Sequence, residues 1–137
     1  MTSDPDTTPP PRVVVVMGEQ WARALLRAAL REEGYDAVGS RGVREALLLR
    51  PDDPGRGPVQ LLILDQDALA GVPASRVPAL VARLGAPATI LIRRAMTAAP
   101  QGEWRRVLRR PVSVEEIVAA ARELLPLPRD ARHPVDA

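Results

Sequence analysis

Val59-Gln60-Leu61-Leu62-Ile63-Leu64-Asp65-Gln66-Asp67 is the stretch on which the reading of the fold turns. Leu61 to Leu64 are all large and apolar, with polar residues on both sides. So short a run with such flanks is a strand buried on both faces of a sheet. Asp65 then stands where the strand leaves the core, at its carboxyl end. Open parallel sheets build their sites there. Taken by itself such an aspartate more readily ends a strand and caps the next turn, so the rest of the chain has to decide.

Upstream, Arg12 to Val16 is a β-branched run, a second buried strand that turns at Met17-Gly18. The spacing predicts a helix over 19–33, with Trp21, Leu25, Ala28 and Ala29 on one face. Gly34 supplies its left-handed stop, and Tyr35 is placed to pack back. A short strand follows over 36–39. Ser40 is the candidate cap of a helix over 42–50, whose turns are marked by Val43, Ala46, Leu47 and Arg50. Residues 51–58, Pro-Asp-Asp-Pro-Gly-Arg-Gly-Pro, are a loop by composition.

Downstream, a helix over 75–84 has Val77, Leu80, Val81 and Leu84 on one face and Gly85 as its stop. Ala88 to Ile92 is a fourth strand. The stretch 95–103 predicts a short or distorted helix, because Pro100 and Gly102 oppose a long one. Arg105 to Arg109 is a fifth strand. Ser113 and Glu116 form a capping box, Ile117, Ala121, Leu124 and Leu125 are the buried face of a last helix, and Pro126 stops it. Strands and helices thus alternate five times, with one weak helix. That alternation means an α/β fold, a doubly wound five-stranded parallel sheet with helices on both faces.

Composition narrows the function. A chain of 137 residues makes one domain with a sizeable core. It has no cysteine, and its single histidine, His133, lies in a Pro- and Asp-rich tail, so a thiolate or histidine triad and a zinc cluster are excluded. No apolar run reaches bilayer length and the N-terminus is not a leader, so a soluble, cytoplasmic protein is expected. The net charge is only +2, and every basic residue except His133 is arginine. The pI of about 10.3 reflects that choice of cation and not a strong field. Three aromatic residues, Trp21, Tyr35 and Trp104, make no stacking platform, so no nucleic acid is expected. Neither GxGxxG nor a Walker sequence occurs, which opposes dehydrogenase and NTPase readings.

Length, element order and three phrases together resemble the receiver domain of bacterial response regulators, with the flavodoxin-like strand order 2-1-3-4-5 of the chemotaxis response protein. The phrases are Arg12 to Tyr35, Leu61 to Asp65, and Val107-Leu108-Arg109-Arg110-Pro111 running on to Ile117. The resemblance covers residues 12–125, leaving a tail over 1–11 expected to be disordered and a flexible tail over 126–137. It implies a third-strand aspartate that accepts a phosphoryl group, beside magnesium held by that aspartate and by an acidic pair after the first strand. It further implies a lysine after the fifth strand, a hydroxyl ending the fourth, and an aromatic residue on the fifth.

Carried over residue by residue, that site is mostly gone. Asp65 matches the phosphoacceptor position. The acidic pair falls on Met17 and Gly18, with Glu19 next. The hydroxyl position falls on Ile92 when Pro87 is aligned with the family's usual proline, and the aromatic position falls on Val107. The lysine is Arg110, correctly followed by Pro111. A permanent planar cation near Asp65 is expected to form a salt bridge, with two hydrogen bonds where the fork allows, and to hinder attack by the carboxylate.

The resemblance therefore implies a degenerate receiver, or pseudo-receiver. Its expected role is a phosphorylation-independent protein-interaction module in bacterial signal transduction, and not an enzyme. Its docking face would carry Arg93, Arg94, Trp104, Arg105, Arg106 and Arg109, unless these are merely solvated cations. No cofactor is expected. The partners would be signalling proteins or a second copy, with no membrane involved. One alternative is a phosphorylatable receiver whose metal site uses Asp65, Glu19 and Asp67. Another is an anionic-ligand site lined by the pairs Arg105/Arg109 and Arg106/Arg110, each sharing a strand face.

Overall fold

The computed structural model describes residues 9–51 and 53–127. The expectations for residues 1–8, for Asp52, and for the tail over 128–137 with His133 lie outside the described residues.

Five strands form the sheet: β1 (Arg12–Val16), β2 (Asp36–Ser40), β3 (Val59–Asp65), β4 (Ala88–Arg93) and β5 (Arg106–Arg109). All pair in parallel, in the order β2-β1-β3-β4-β5. The helices are α1 (Gln20–Glu33), α2 (Val43–Ala46), α3 (Arg76–Arg83) and α4 (Val114–Leu124), with one 3-10 turn over Gln66–Leu69.

The continuous apolar runs of β1 and β3 follow from their central place. Side chains alternate across a strand, so each run feeds two cores. Val13, Val15, Leu61, Ile63, Ile90 and Ile92 meet Leu26, Leu30, Ile117 and Ala121 beneath α1 and α4. Val14, Val16, Leu62 and Leu64 meet Val43, Ala46, Leu80 and Leu84 beneath α2 and α3. Each fully buried aliphatic side chain contributes about 1.5–3 kcal/mol.

Helix α1 does not dock on the face that its spacing suggested. Trp21 is 77% exposed and Leu25 59%. The core takes Leu26 and Leu30, with Ala22 and Ala29 beside them. Two apolar stripes with helical spacing share this helix. Docking the Trp21–Leu25–Ala28 stripe would carry Glu32, one turn further on, against the sheet. The stripe that docks ends instead on Glu33, which Arg122 of α4 pairs at 3.2 Å. The stop is as expected: Gly34 has φ 116°. Tyr35 is buried, and its hydroxyl donates to the Leu125 carbonyl at 2.6 Å.

Two further expectations change. Ser40 does not cap a helix over 42–50. It ends β2, its hydroxyl donates to the Gly42 carbonyl at 2.7 Å, and only Val43–Ala46 is α-helical. The chain then tightens, with Leu48 and Leu49 donating three residues back, to Glu45 and Ala46. Pro51 disfavours a helical Arg50, whose carbonyl instead accepts from Arg12 Nη1 at 2.9 Å. The stretch 95–103 is not a short or distorted helix either, because no helix lies between β4 and β5. Trp104 donates to the Pro100 carbonyl at 2.9 Å and packs on the α2–α3 core, closing the segment as a strap.

The capping box of α4 forms as the sequence suggested, with Ser113 and Glu116 bonded reciprocally. Helix α4 ends at Leu124, but Leu127 still packs on the core, so the chain is anchored past residue 126. Likewise the Pro11 carbonyl already accepts from Asp36 N at 2.8 Å.

The loop before β3 is tied down by Arg56, whose Nε and Nη2 donate to Asp36 at 2.8 and 2.6 Å. These hydrogen bonds hold the Asp36 carboxyl below its ordinary pKa, against the opposing effect of burial, and the charges of Arg56, Arg12 and Arg31 add to the lowering. A depressed folded-state pKa gives stability that is present above the unfolded value of about 3.9 and lost as pH falls through the folded value. Asp36→Asn should therefore cost about 1 kcal/mol near neutrality for this part-exposed pair. In urea unfolding, the gap between Asp36→Asn and wild type should close below about pH 4. A gap that stays constant to pH 3 would count against the ion pair.

Candidate functional site

Strands β1 and β3 run side by side, Val16 opposite Leu64, so Met17 and Gly18 leave the sheet next to Asp65. Asp65 in turn lies opposite Ile92 of β4. Asp65 is 2% exposed. One carboxylate oxygen accepts from Arg110 Nη2 at 2.6 Å, the other from the Asp67 backbone N–H at 3.3 Å. The expected salt bridge thus forms through one guanidinium nitrogen, and Arg110 Nε is buried without an acceptor. Arg110 and Pro111 are joined by a cis peptide and lead from β5 into α4.

The other positions carry no replacement chemistry. Met17 is buried, and its backbone N–H donates to the Ser40 carbonyl. Ile92 is wholly buried in the α1–α4 core. The nearest hydroxyl on β4, Thr89, donates to the Pro87 carbonyl at 3.3 Å, three residues before Ile92. Glu19 is the N-cap of α1, its carboxylate accepting from Ala22 N. Val107 is 41% exposed on β5, where the absent helix leaves it uncovered.

Two residues that sequence reasoning passed over complete the arrangement. Arg23 Nη1 donates to the Met17 carbonyl at 2.9 Å and to the Gly18 carbonyl at 3.4 Å. A cation near a helix N-terminus opposes the helix dipole, and that mismatch was the available signal. Gln66 is the second. Its Oε1 accepts from Arg94 N at 2.7 Å and its amide nitrogen donates to the Ala98 carbonyl at 3.3 Å, so it holds the strap to the end of β3. Arg94 Nε reaches Asp67 at 2.6 Å.

Each carboxylate near the carboxyl end of β3 is thus already engaged: Asp65 by Arg110, Asp67 by Arg94, Glu19 by its own helix. Among the described residues, no three His, Asp or Glu side chains converge to hold a metal ion. The residues present do not fit magnesium. The two carbonyls after β1 face a guanidinium instead, and magnesium requires near-octahedral oxygen ligation.

The arginines expected to form one face divide. Arg105 and Arg109 are exposed, while Arg106 is paired with Glu123 of α4 and Arg94 with Asp67. Arg93 is half-buried with an unpartnered Nε. Trp104 is half-buried, packed against the α2–α3 core. Of the arginine pairs considered for an anion, Arg105/Arg109 is open and Arg106/Arg110 is spent on carboxylates.

Solved structures share this fold. A non-phosphorylated receiver domain from Leptospira biflexa matches with TM-score 0.68 at 17% identity, over 87% of this chain and 97% of that one. A response regulator receiver protein from Burkholderia phymatum matches with TM-score 0.62 at 25% identity, over 86% and 97%. The chain has the receiver-domain fold. An adenylate cyclase from Rhodopirellula baltica also matches, with TM-score 0.67 at 16% identity over 83% and 86%. The sequence matches no protein-family model and no curated protein. Among the described residues, no helix is long and apolar enough to cross a membrane.

In this receiver fold Arg110 neutralises a carboxylate that is paired with no other cation among the described residues. Arg110→Ala leaves Asp65 buried and unpaired. The cost should be about 2 kcal/mol, below the value for a fully buried pair because the Arg110 side chain is 37% exposed. The double variant Asp65→Asn/Arg110→Ala should cost less than the sum of the two single changes. Urea unfolding of the four proteins measures this, and strict additivity would dissolve the pairing.

Proposed function

We propose that this chain is a receiver-fold signalling module that binds partners without phosphoryl transfer, a pseudo-receiver. The observation that carries this reading is the Asp65–Arg110 ion pair, with Arg23 on the Met17 and Gly18 carbonyls. A carboxylate held by a permanent cation is a poor nucleophile. Transferring a phosphoryl group also requires charge neutralisation in transit, and among the described residues Arg110, Arg94 and Arg23 are already committed. The solved receiver domains of the same fold come from response regulators, which supports a place in two-component signalling.

The exposed pair Arg105 and Arg109, with Val107 between them, is the surface best suited to a partner on this edge. Arginine is among the residue types enriched at binding hot spots. This surface favours a partner with acidic residues around an apolar contact.

Amide NMR titration with Mg²⁺, then with Mg²⁺ plus beryllofluoride, tests the dismantled site. No shift should exceed the effect of ionic strength. Shifts concentrated at Gly18, Glu19 and Asp65 would restore the phosphorylatable alternative. Charge reversal of Arg105 and Arg109 to Glu should lower partner capture at least tenfold while leaving Tm within about 2 °C, as expected of surface substitutions. Unchanged capture would move the docking surface elsewhere.

A further inference from the structure

The opposite edge of the sheet carries a cluster of cations of which the site above uses only Arg23. Arg23, Arg27 and Arg31 stand one turn apart along α1, on the flank toward β2. Their placement is built into the sequence of β2. A Cβ on Gly39 would lie 2.8 Å from Arg27 Cδ and 3.1 Å from Arg23 Cδ, so both stems lie flat on the strand over a residue with no side chain.

The three arginines differ in what they hold. Arg23 is bonded to the Met17 carbonyl, and Arg31 Nη2 to the Ala37 carbonyl at 3.1 Å. Arg27 has no acceptor among the described residues, and its Nε is buried and unpartnered. Burial lowers its pKa from the ordinary arginine value, and the charges of Arg31, Arg23 and Arg56 lower it further. Neighbouring carboxylates do not offset this. Asp36 is saturated by Arg56, and Glu45 is paired with Arg41. A guanidinium fixed among like charges, with donors unspent, calls for an anion.

We propose that Arg27, flanked by Arg23 and Arg31, is the centre of a binding site for a small anion carrying phosphoryl oxygens. An added peptide strand is the poorer occupant. In the parallel ladder Asp36, Val38 and Ser40 face β1, so Ala37 and Gly39 turn their peptide groups to the open edge. Arg31 already covers the Ala37 carbonyl there, which blunts the edge against strand addition. What remains is compact: the Arg27 stem over Gly39, with Arg23 and Arg31 a helical turn away on either side. That matches one or two phosphoryl groups.

The test uses the full chain and follows the Gly39 amide and the Arg27 Nε–H by NMR at fixed ionic strength. Inorganic phosphate, pyrophosphate and a nucleoside triphosphate are added in separate arms. Saturable shifts at both reporters are expected with pyrophosphate. Arg27→Gln should weaken binding at least tenfold, and Gly39→Ala should weaken it by displacing both stems. Arg76→Gln, on α3 across the sheet, should leave it unchanged. Unaltered amide shifts in β1 and β3 certify that each variant is folded. Equal affinity for pyrophosphate and the triphosphate assigns recognition to the phosphates alone, and a tenfold preference for the triphosphate assigns a nucleotide; both support the site. Absence of saturable shifts in all three arms, or undiminished binding by Arg27→Gln, overturns it.

Discussion

A negative charge at the carboxyl end of the central strand has to be neutralised, and in this molecule the protein does so itself. Arg110 reaches Asp65 from beyond β5, across the width of β4. The contact therefore ties the end of the outermost strand to the middle of the sheet, just before the chain enters α4. A second tie runs parallel to it, from Asp67 and Gln66 to Arg94 at the end of β4. With Arg23 over the carbonyls after β1, every strand end around the carboxylate is held by an internal cation or a side-chain amide. Such a cluster is closed by covalent attachment, so its occupancy does not depend on any solute.

The connection from β4 to β5 follows from the same economy. Arg94 and Gln66 fix its start, and Trp104 with the Pro100 carbonyl fixes its end. Gly102 allows the indole to fold under the backbone, since a Cβ there would lie 2.6 Å from the ring. The segment needs no helix to bury its tryptophan. Its cost falls on β5, whose Val107 keeps one side in water.

Much of this was legible before any coordinates. The apolar runs of β1 and β3, the glycine stop at Gly34 and the capping box at Ser113 each have a single local solution, and the structure adopts it. The pairing of Asp65 with Arg110 was also readable, because charge and likeness of position pointed the same way. What escaped the sequence had two local solutions. Helix α1 carries two apolar stripes, and only the position of Glu33 against Arg122 separates them. The stretch after Val43 has helical spacing, but Pro51 and the demand of Arg12 for a carbonyl end the helix early. Arg23 and Gln66 were missed because their partners are backbone carbonyls and N–H groups, which no side-chain pattern encodes.

The Tyr35 hydroxyl, bonded to the Leu125 carbonyl at 2.6 Å, joins positions 90 apart in the chain. Beneath that bond α1 and α4 share one core, so the α1 side of the sheet is completed only by the last helix. During synthesis at about 5–20 residues per second, the gap between the two partners corresponds to roughly 5–20 s. For the part of that interval after Asp65 is made, β1 and β3 exist without the α4 half of their cover. The domain is therefore committed to folding late, as a whole, and its nascent chain offers an apolar half-sheet to whatever chaperone attends the exit tunnel.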